Sequence, residues 1–297
     1  MTPDQLRVFL AVAETEHMTR AAQTLNMTQS TASAAIAALE RRHDVKLFDR
    51  VGRGIVLTQE GRAFLPEARA VLARIAEAEA ALAETRGLAR GHIRMIASQT
   101  IAGYWLPGHL AAFRARYPGI SLTLDIGNTE DAAAQIAAGG FDLGFVEGWI
   151  DESHLVRHEI GSDRMQLVGA RPAPEAPLRP ETLSRQPWVL REAGSGTRST
   201  AQAAMAELGV SGRAAEQALI LPSNEAVMSA VEAGAGISIL SAHVTARSLA
   251  SGALFDWGIA LPPRSFYALR HRDHHTSRAM RAFLEHLKTG AASAQDT

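Results

Sequence analysis

Cysteine is absent from the 297 residues, which excludes disulfides, thiolate metal sites and thiol redox sensing and fits a reducing compartment. No apolar run is long enough to cross a bilayer. The first residues mix acidic, basic and helix-forming side chains where an export signal needs an apolar centre. The expectation is a cytoplasmic protein with no membrane partner. Surplus charge is missing too, since 30 Lys and Arg stand against 31 Asp and Glu for a formal net charge of −1. Any grip on a polyanion must therefore come from local placement of bases. A nucleophile elbow, a P-loop lysine and a spaced set of metal ligands are all lacking, so neither a metal nor a resident cofactor is expected. What is present is more length than one usual domain needs, with 46% hydrophobic residues, enough for more than one core.

Local placement is richest between Thr19 and Thr58. Thr19-Arg20-Ala21-Ala22, Leu25-Asn26-Met27-Thr28-Gln29-Ser30, Ala38-Leu39-Glu40 and Leu47-Phe48-Asp49-Arg50 follow in close order. Thr19 is expected to cap a short helix with Ala21, Ala22 and Leu25 inward, Asn26-Met27 to turn, and Thr28 to cap a second helix reaching about Arg42. Two helices so joined make a helix-turn-helix. Ala32, Ile36 and Leu39 fall on one buried stripe, leaving a polar, short-chained face that can enter the major groove of double-stranded DNA. Gln29 suits an adenine edge, and Thr19, Arg20, Thr28, Ser30, Thr31 and Ser33 are further candidate contacts to bases or phosphates. Val45–Phe48 and Ile55–Leu57 are β-prone runs around a turn carrying Arg50 and Arg53, the pattern of a wing whose arginines reach phosphate or minor groove. Bases exceed acids from Arg41 to Arg62. The alternative is an ordinary helical hairpin with a solvated face.

Thr58 can cap a long helix from Gly61 to about Leu88. Phe64, Leu65, Ala68, Val71, Leu72, Ile75, Ala78, Leu82 and Ala83 recur in it at near-heptad intervals. The stripe is expected to meet a second copy of the chain, the alternative being that it packs on its own domain. Beyond Gly87, Arg90 and Gly91, strands at 92–97, 120–126 and 142–146 alternate with helices at 101–117 and 129–138. A second such unit has strands at 164–169, 188–191, 218–221 and 236–240 and helices at 197–208 and 224–233. The expected division is 1–58 DNA-binding head, 59–89 linker helix and 90–297 effector domain.

Ligands of open α/β sheets sit beyond the carboxyl ends of strands, where this chain places Ser98-Gln99-Thr100, Gly127-Asn128-Thr129, Glu192 to Arg198, and Pro222-Ser223-Asn224. Helix starts converging there make an anion receptor. In the sharpest of them, Gly194, Ser195, Gly196 and Thr197 offer amides and hydroxyls, while Arg198 supplies charge or braces the loop. It is no dinucleotide fingerprint, because Ser199 replaces the third glycine. As an isolated pattern it is also an ordinary strand-to-helix turn. Trp105, Trp188 and Trp257 read as core residues and Trp149 as a candidate cleft residue. His271, His274 and His275 share one loop with no second ligand cluster, so a solvated turn is expected there.

The block from Leu6 through Gly61 resembles the N-terminal domain of LysR-type transcriptional regulators. That resemblance implies a winged helix-turn-helix, a linker helix pairing two subunits and a two-lobed α/β effector domain shaped like a periplasmic binding protein, in which a last strand near 266–270 and a helix at 277–289 return to the first unit, so that lobe I takes 90–161 and 266–290 and lobe II takes 162–265. It also implies a dimer of dimers, with RNA polymerase as a further partner of the regulator. Ser30 stands where many relatives have proline, and Ala34 where they have a longer polar or basic residue. Ala97 to Ile101, Val146-Glu147-Gly148, Arg191 to Arg198 and Ser223 to Val227 resemble the branch concerned with sulfur assimilation, sulfite response and carbon fixation, with Ala193 replacing a usual proline. By this resemblance Ser98, Thr100, Ser195, Thr197 and Arg198 hold the effector, and Glu147 sits near the crossing between lobes. Sulfite or sulfate is the first choice of anion, and a phosphorylated metabolite or small carboxylate the second. A transport-type solute-binding protein and an α/β enzyme share the two-lobed plan, but neither explains residues 1–60.

Overall fold

The computed structural model describes residues 1–51, 54–84, 91–148, 150, 152–175 and 177–294. The first compact unit holds residues 1–85 and the second residues 86–137 and 141–297. Helix α1 (Pro3–Thr15) opens with a capping box, in which Thr2 Oγ1 accepts from Gln5 N and Gln5 Oε1 accepts from Thr2 N. Helix α2 (Met18–Thr24) is capped by His17, whose Nδ1 accepts from Arg20 N, not by Thr19 as expected. Asn26 makes the tight turn with φ 52°, a left-handed conformation its short amide tolerates. Thr28 caps α3 (Gln29–His43), and Ala32, Ile36 and Leu39 are buried as their spacing predicts.

Strands β1 (Phe48–Val51) and β2 (Gly54–Leu57) pair antiparallel, with Phe48 opposite Leu57. The first strand starts three residues after the expected Val45. Glu40 Oε1 accepts from Leu47 N at 2.8 Å and Phe48 N at 3.3 Å, so a side chain of α3 takes those amides instead of a ladder. Helix α4 (Gln59–Glu84) follows Thr58, whose Oγ1 accepts from Gly61 N. Its apolar stripe divides. Phe64, Leu65, Ala68 and Leu72 join the head's own core, where Phe9 lies 5.4 Å from Phe48 and 5.0 Å from Phe64, centroid to centroid. Such aromatic pairs add about 0.5–1.5 kcal/mol each beyond area burial. Val71 is 40% exposed and Ala78 is exposed, so they lie off that core. The side chains of Leu82 and Ala83, and residues 87 and 90, lie outside the described residues.

In the second unit, β3 (Gly91–Ser98), β4 (Ile120–Gly127) and β5 (Leu143–Glu147) are parallel, with α5 (Leu106–Arg116) and α6 (Thr129–Ala137) as crossovers. The helix expected over 101–117 begins instead with a π-helical turn, Ile101–Trp105. Pro107 has no N–H, and its ring crowds the carbonyl four residues back, so a regular α-helix cannot run through. Strand β6 (Leu155–Asp163) was not anticipated, because Arg157, His158 and Glu159 break its apolar alternation. Lobe II carries β7 (Met165–Gly169), α7 (Pro180–Ser184), β8 (Val189–Arg191), α8 (Gly196–Glu207), α9 (Gly212–Glu216) and β9 (Leu219–Leu221). It continues through α10 (Asn224–Glu232), β10 (Ile237–Ser241), α11 (Ala242–Ala250) and β11 (Phe255–Asp256). Strand β12 (Arg264–His271) and helix α12 (Arg278–Ala294) return to lobe I.

The lobe I sheet has the order β4-β3-β5-β12-β6, with β12 antiparallel to both neighbours. Lobe II does not repeat the βαβαβ plan. Its three-stranded β10-β7-β11 sheet is antiparallel, and a short parallel β8-β9 pair is joined to it by the Trp188–Ile237 bridge. Trp188 and Trp257 fill the lobe II core with their indole N–H groups on Leu183 O and Arg171 O, while half-buried Trp105 packs on Phe266. The chain crosses between lobes twice, at Arg164 between β6 and β7 and again before β12.

Candidate DNA interface and effector site

In the head, the start of α2, the exposed side of α3 and the β1-β2 wing border a groove of about 310 Å³. Thr19, Gln29, Ser33 and Arg50, all expected contacts, line it together with Glu16, His17 and Ile55. Thr28 Oγ1 lies 2.8 Å from both Ser30 Oγ and Thr31 Oγ1, an exposed hydroxyl knot at the N-terminus of α3. The dipole of a 15-residue helix and its unpaired amides favour phosphate at that end. Arg20 is exposed but does not line the groove, and Arg53 lies outside the described residues.

In the second unit, the expected effector residues gather where the lobes meet. Thr100 and Thr197 come from opposite lobes, and their hydroxyls lie 3.4 Å apart. Both are fully buried, with exposures of 0% and 2%. Asn224 Nδ2 donates to Thr100 Oγ1 at 3.0 Å, and Gln99 closes over them, accepting from Asn224 N and donating to Pro222 O. Beneath lies Arg264, whose Nη1 donates to Thr197 Oγ1 at 3.2 Å and whose Nη2 donates to Thr100 Oγ1 at 3.4 Å. Arg264 also pairs with Asp163 at 2.7 Å and Glu147 at 3.5 Å, at the point where the strands cross between lobes. Ser98 Oγ and Glu147 Oε2 are buried without a hydrogen-bond partner among the described residues. Tyr104 on the π-helical turn donates to Glu225 Oε1 at 2.9 Å across the lobes. Burial, then the Glu225 carboxylate, pushes its phenol up to about 12.

The glycine loop is arranged differently from the expectation. Arg198 Nη1 donates to Arg191 O at 3.1 Å, so of its two anticipated roles the structure displays bracing. Ser195 Oγ caps α8 by accepting from Arg198 N, and Gly196 N donates to Thr129 Oγ1, which itself donates to Glu147 O. The Ser195, Gly196 and Arg198 amides therefore bond protein atoms instead of standing open to an anion. Gly194 has φ 81°, and a Cβ on Gly196 would collide with Glu147 O. Gly196 thus lets α8 approach the end of β5, while Gly194 leaves room for Asn128 and Glu130 at the start of α6.

Comparison with known proteins resolves the class. Residues 3–62 match the model for bacterial regulatory helix-turn-helix proteins of the lysR family, and residues 86–292 match the LysR substrate binding domain. The chain belongs to the LysR family. As a LysR-type protein it is a DNA-binding transcriptional regulator with an effector-binding domain, not an enzyme. It is 35% identical over 291 residues to the uncharacterized HTH-type transcriptional regulator YeiE of Escherichia coli K12, covering 96% of this chain and 97% of that one. It is 33% identical to the RuBisCO operon transcriptional regulator of Allochromatium vinosum, covering 97% of this chain and 96% of that one. Among solved structures, a full-length OxyR variant from Pseudomonas aeruginosa superposes with a TM-score of 0.70 at 18% identity, over 97% of this chain and 95% of that one. The Synechocystis CcmR regulatory domain in complex with 2-PG gives 0.59 at 25% identity, over 68% of this chain and 98% of that one.

Arg264, Asp163 and His17 were not anticipated from the sequence of this LysR-type regulator, whereas Asn224 had been placed in one of the four ligand loops. Arg264 follows a Pro-Pro pair and Asp163 ends a half-polar edge strand. Only the pairing of β6 with β12, with Arg264 opposite Asp163, reveals their role. Trp149, a candidate cleft residue, lies outside the described residues. Among the described residues, no helix is long and apolar enough to cross a membrane.

Proposed function

We propose that this LysR-type regulator is switched by a small oxyanion, sulfite preferred, bound by Thr100 and Thr197 when the lobes part enough to open the 3.4 Å contact between their hydroxyls. The observation that carries the reading is the buried ring of hydroxyls backed by Arg264, in which Ser98 Oγ and Glu147 Oε2 lack partners among the described residues. A buried polar atom without a partner costs about 1–3 kcal/mol, which a ligand recovers by bonding it. Glu147 only accepts hydrogen bonds when ionised, so it selects an oxyanion that keeps a proton near neutrality. Sulfite does so and sulfate does not. A phosphorylated metabolite or small carboxylate is the second reading, and the CcmR domain bound to 2-PG supports a small ligand in a domain of this kind. The regulator acts in the cytoplasm as a dimer of dimers through α4, and repositioning of its paired heads on the operator alters contact with RNA polymerase.

Calorimetric titration of the full-length protein with sulfite, sulfate, phosphate, sugar phosphates and small carboxylates tests the assignment. Sulfite is expected to bind, Thr197→Val to weaken it at least tenfold, and Glu147→Gln to admit sulfate. Absence of binding by every anion, or native affinity in Thr197→Val, overturns the site.

A further inference from the structure

At the end of β12 remote from the cleft, roughly 23 Å from Arg264 at about 3.3 Å per residue, a second cluster of polar side chains forms. His154, His271 and Asp273 each offer one ligand atom, and these atoms lie within 4.8 Å of one another. The sequence places His271, His274 and His275 in one loop with nothing to complete a ligand set. The fold supplies the missing partner, because antiparallel pairing sets His271 opposite Leu155 and so brings His154 beside the loop. The backbone fixes this neighbourhood. Arg272 N donates to His154 O at 2.8 Å, and Asp273 N donates to His271 Nδ1 at 3.2 Å. The His154 and His271 rings lie near parallel at 11°, and His274 stacks 4.1 Å from His271, centroid to centroid.

We propose that His154, His271 and Asp273 form a binding site for a divalent transition-metal ion of the zinc class. Two imidazoles and one carboxylate are a donor set for borderline ions, whereas magnesium and calcium require mostly oxygen. Zinc bonds of about 2.0–2.2 Å require the three ligand atoms to draw closer. Side-chain rotation achieves this, since His154 and Asp273 are exposed and His271 is half-buried. The fourth position falls to water or to His274. Arg270 donates to His271 O and Arg272 O, so its charge is directed onto carbonyls of the same turn. A bound ion ties the residue before edge strand β6 to the loop after β12 and closes a long stretch of chain.

The test uses untagged full-length protein stripped with a chelator, then titrated with zinc chloride or magnesium chloride by calorimetry and thermal unfolding. One equivalent of zinc is expected to bind and to raise Tm by a few degrees, reversibly with EDTA, while magnesium does neither. His154→Ala, in the exposed turn before β6, and His271→Ala, at the end of β12, are each expected to lower zinc affinity at least tenfold, with His154→Ala leaving the metal-free Tm unchanged. No response to zinc, or undiminished affinity in His154→Ala, overturns the proposal.

Discussion

Arg264 concentrates the electrostatics of the effector domain in one side chain. It is 6% exposed, and its ion-pair partners Asp163 and Glu147 are 3% and 2% exposed, so three ionisable groups share one dry space. Such a cluster adds little net stability over apolar packing, yet removing one member leaves the others uncompensated. Arg264→Gln is expected to cost about 3–5 kcal/mol, because two carboxylates would then face each other unpaired. The check is the urea midpoint of the effector-domain transition; a change below about 1 kcal/mol would show the triad to be hydrated instead of buried. At this scale the sequence was informative where a residue acts through its neighbours in the chain. Thr28 caps the helix it precedes, and Thr58 does the same for α4. It was uninformative where the partner is remote, since nothing near Arg264 in the chain announces Asp163 or Glu147.

At the scale of elements, the π-helical turn Ile101–Trp105 and helix α10 clasp the cleft through Tyr104 and Glu225. Burial and the adjacent carboxylate raise the Tyr104 pKa from 10.0 to about 12. A folded pKa above the unfolded one means the folded state holds the proton more tightly. The clasp's contribution is therefore fully present below about pH 10 and lost as pH rises through about 12. The stability difference between the native protein and Tyr104→Phe is expected to hold steady below that window and narrow within it, read from urea midpoints at a series of pH values. A difference that widens with pH would exclude the Tyr104–Glu225 bond as its source. The π-turn itself was not legible, although Pro107 carried the signal that a helix from 101 to 117 could not be regular. Strand β6 escaped notice for a different reason. An edge strand buries only part of itself, so its polar middle does not read as a strand. The linker helix shows a third limit. Periodicity reveals an apolar stripe but not its recipient, and Phe64, Leu65, Ala68 and Leu72 are used by the head's own core.

For the whole molecule, the sequence carried the architecture well because two strong local patterns, a helix-turn-helix and alternating strands and helices, each imply a known packing. It carried the proposed effector site less completely. The hydroxyls of Thr100 and Thr197 were named, but the 194–198 loop proved largely self-satisfied and the charge behind the site came from Arg264. The proposal joining the two units is linkage: an anion alters the heads only if it binds one arrangement of the subunits more tightly than another. Footprinting of the full-length regulator on its operator, with and without saturating sulfite, measures that linkage directly. The protected pattern is expected to shift or shorten with sulfite in the native protein and to stay unchanged in Thr197→Val. An identical footprint at saturating sulfite, in a protein shown by calorimetry to bind it, would contradict the coupling of cleft to DNA.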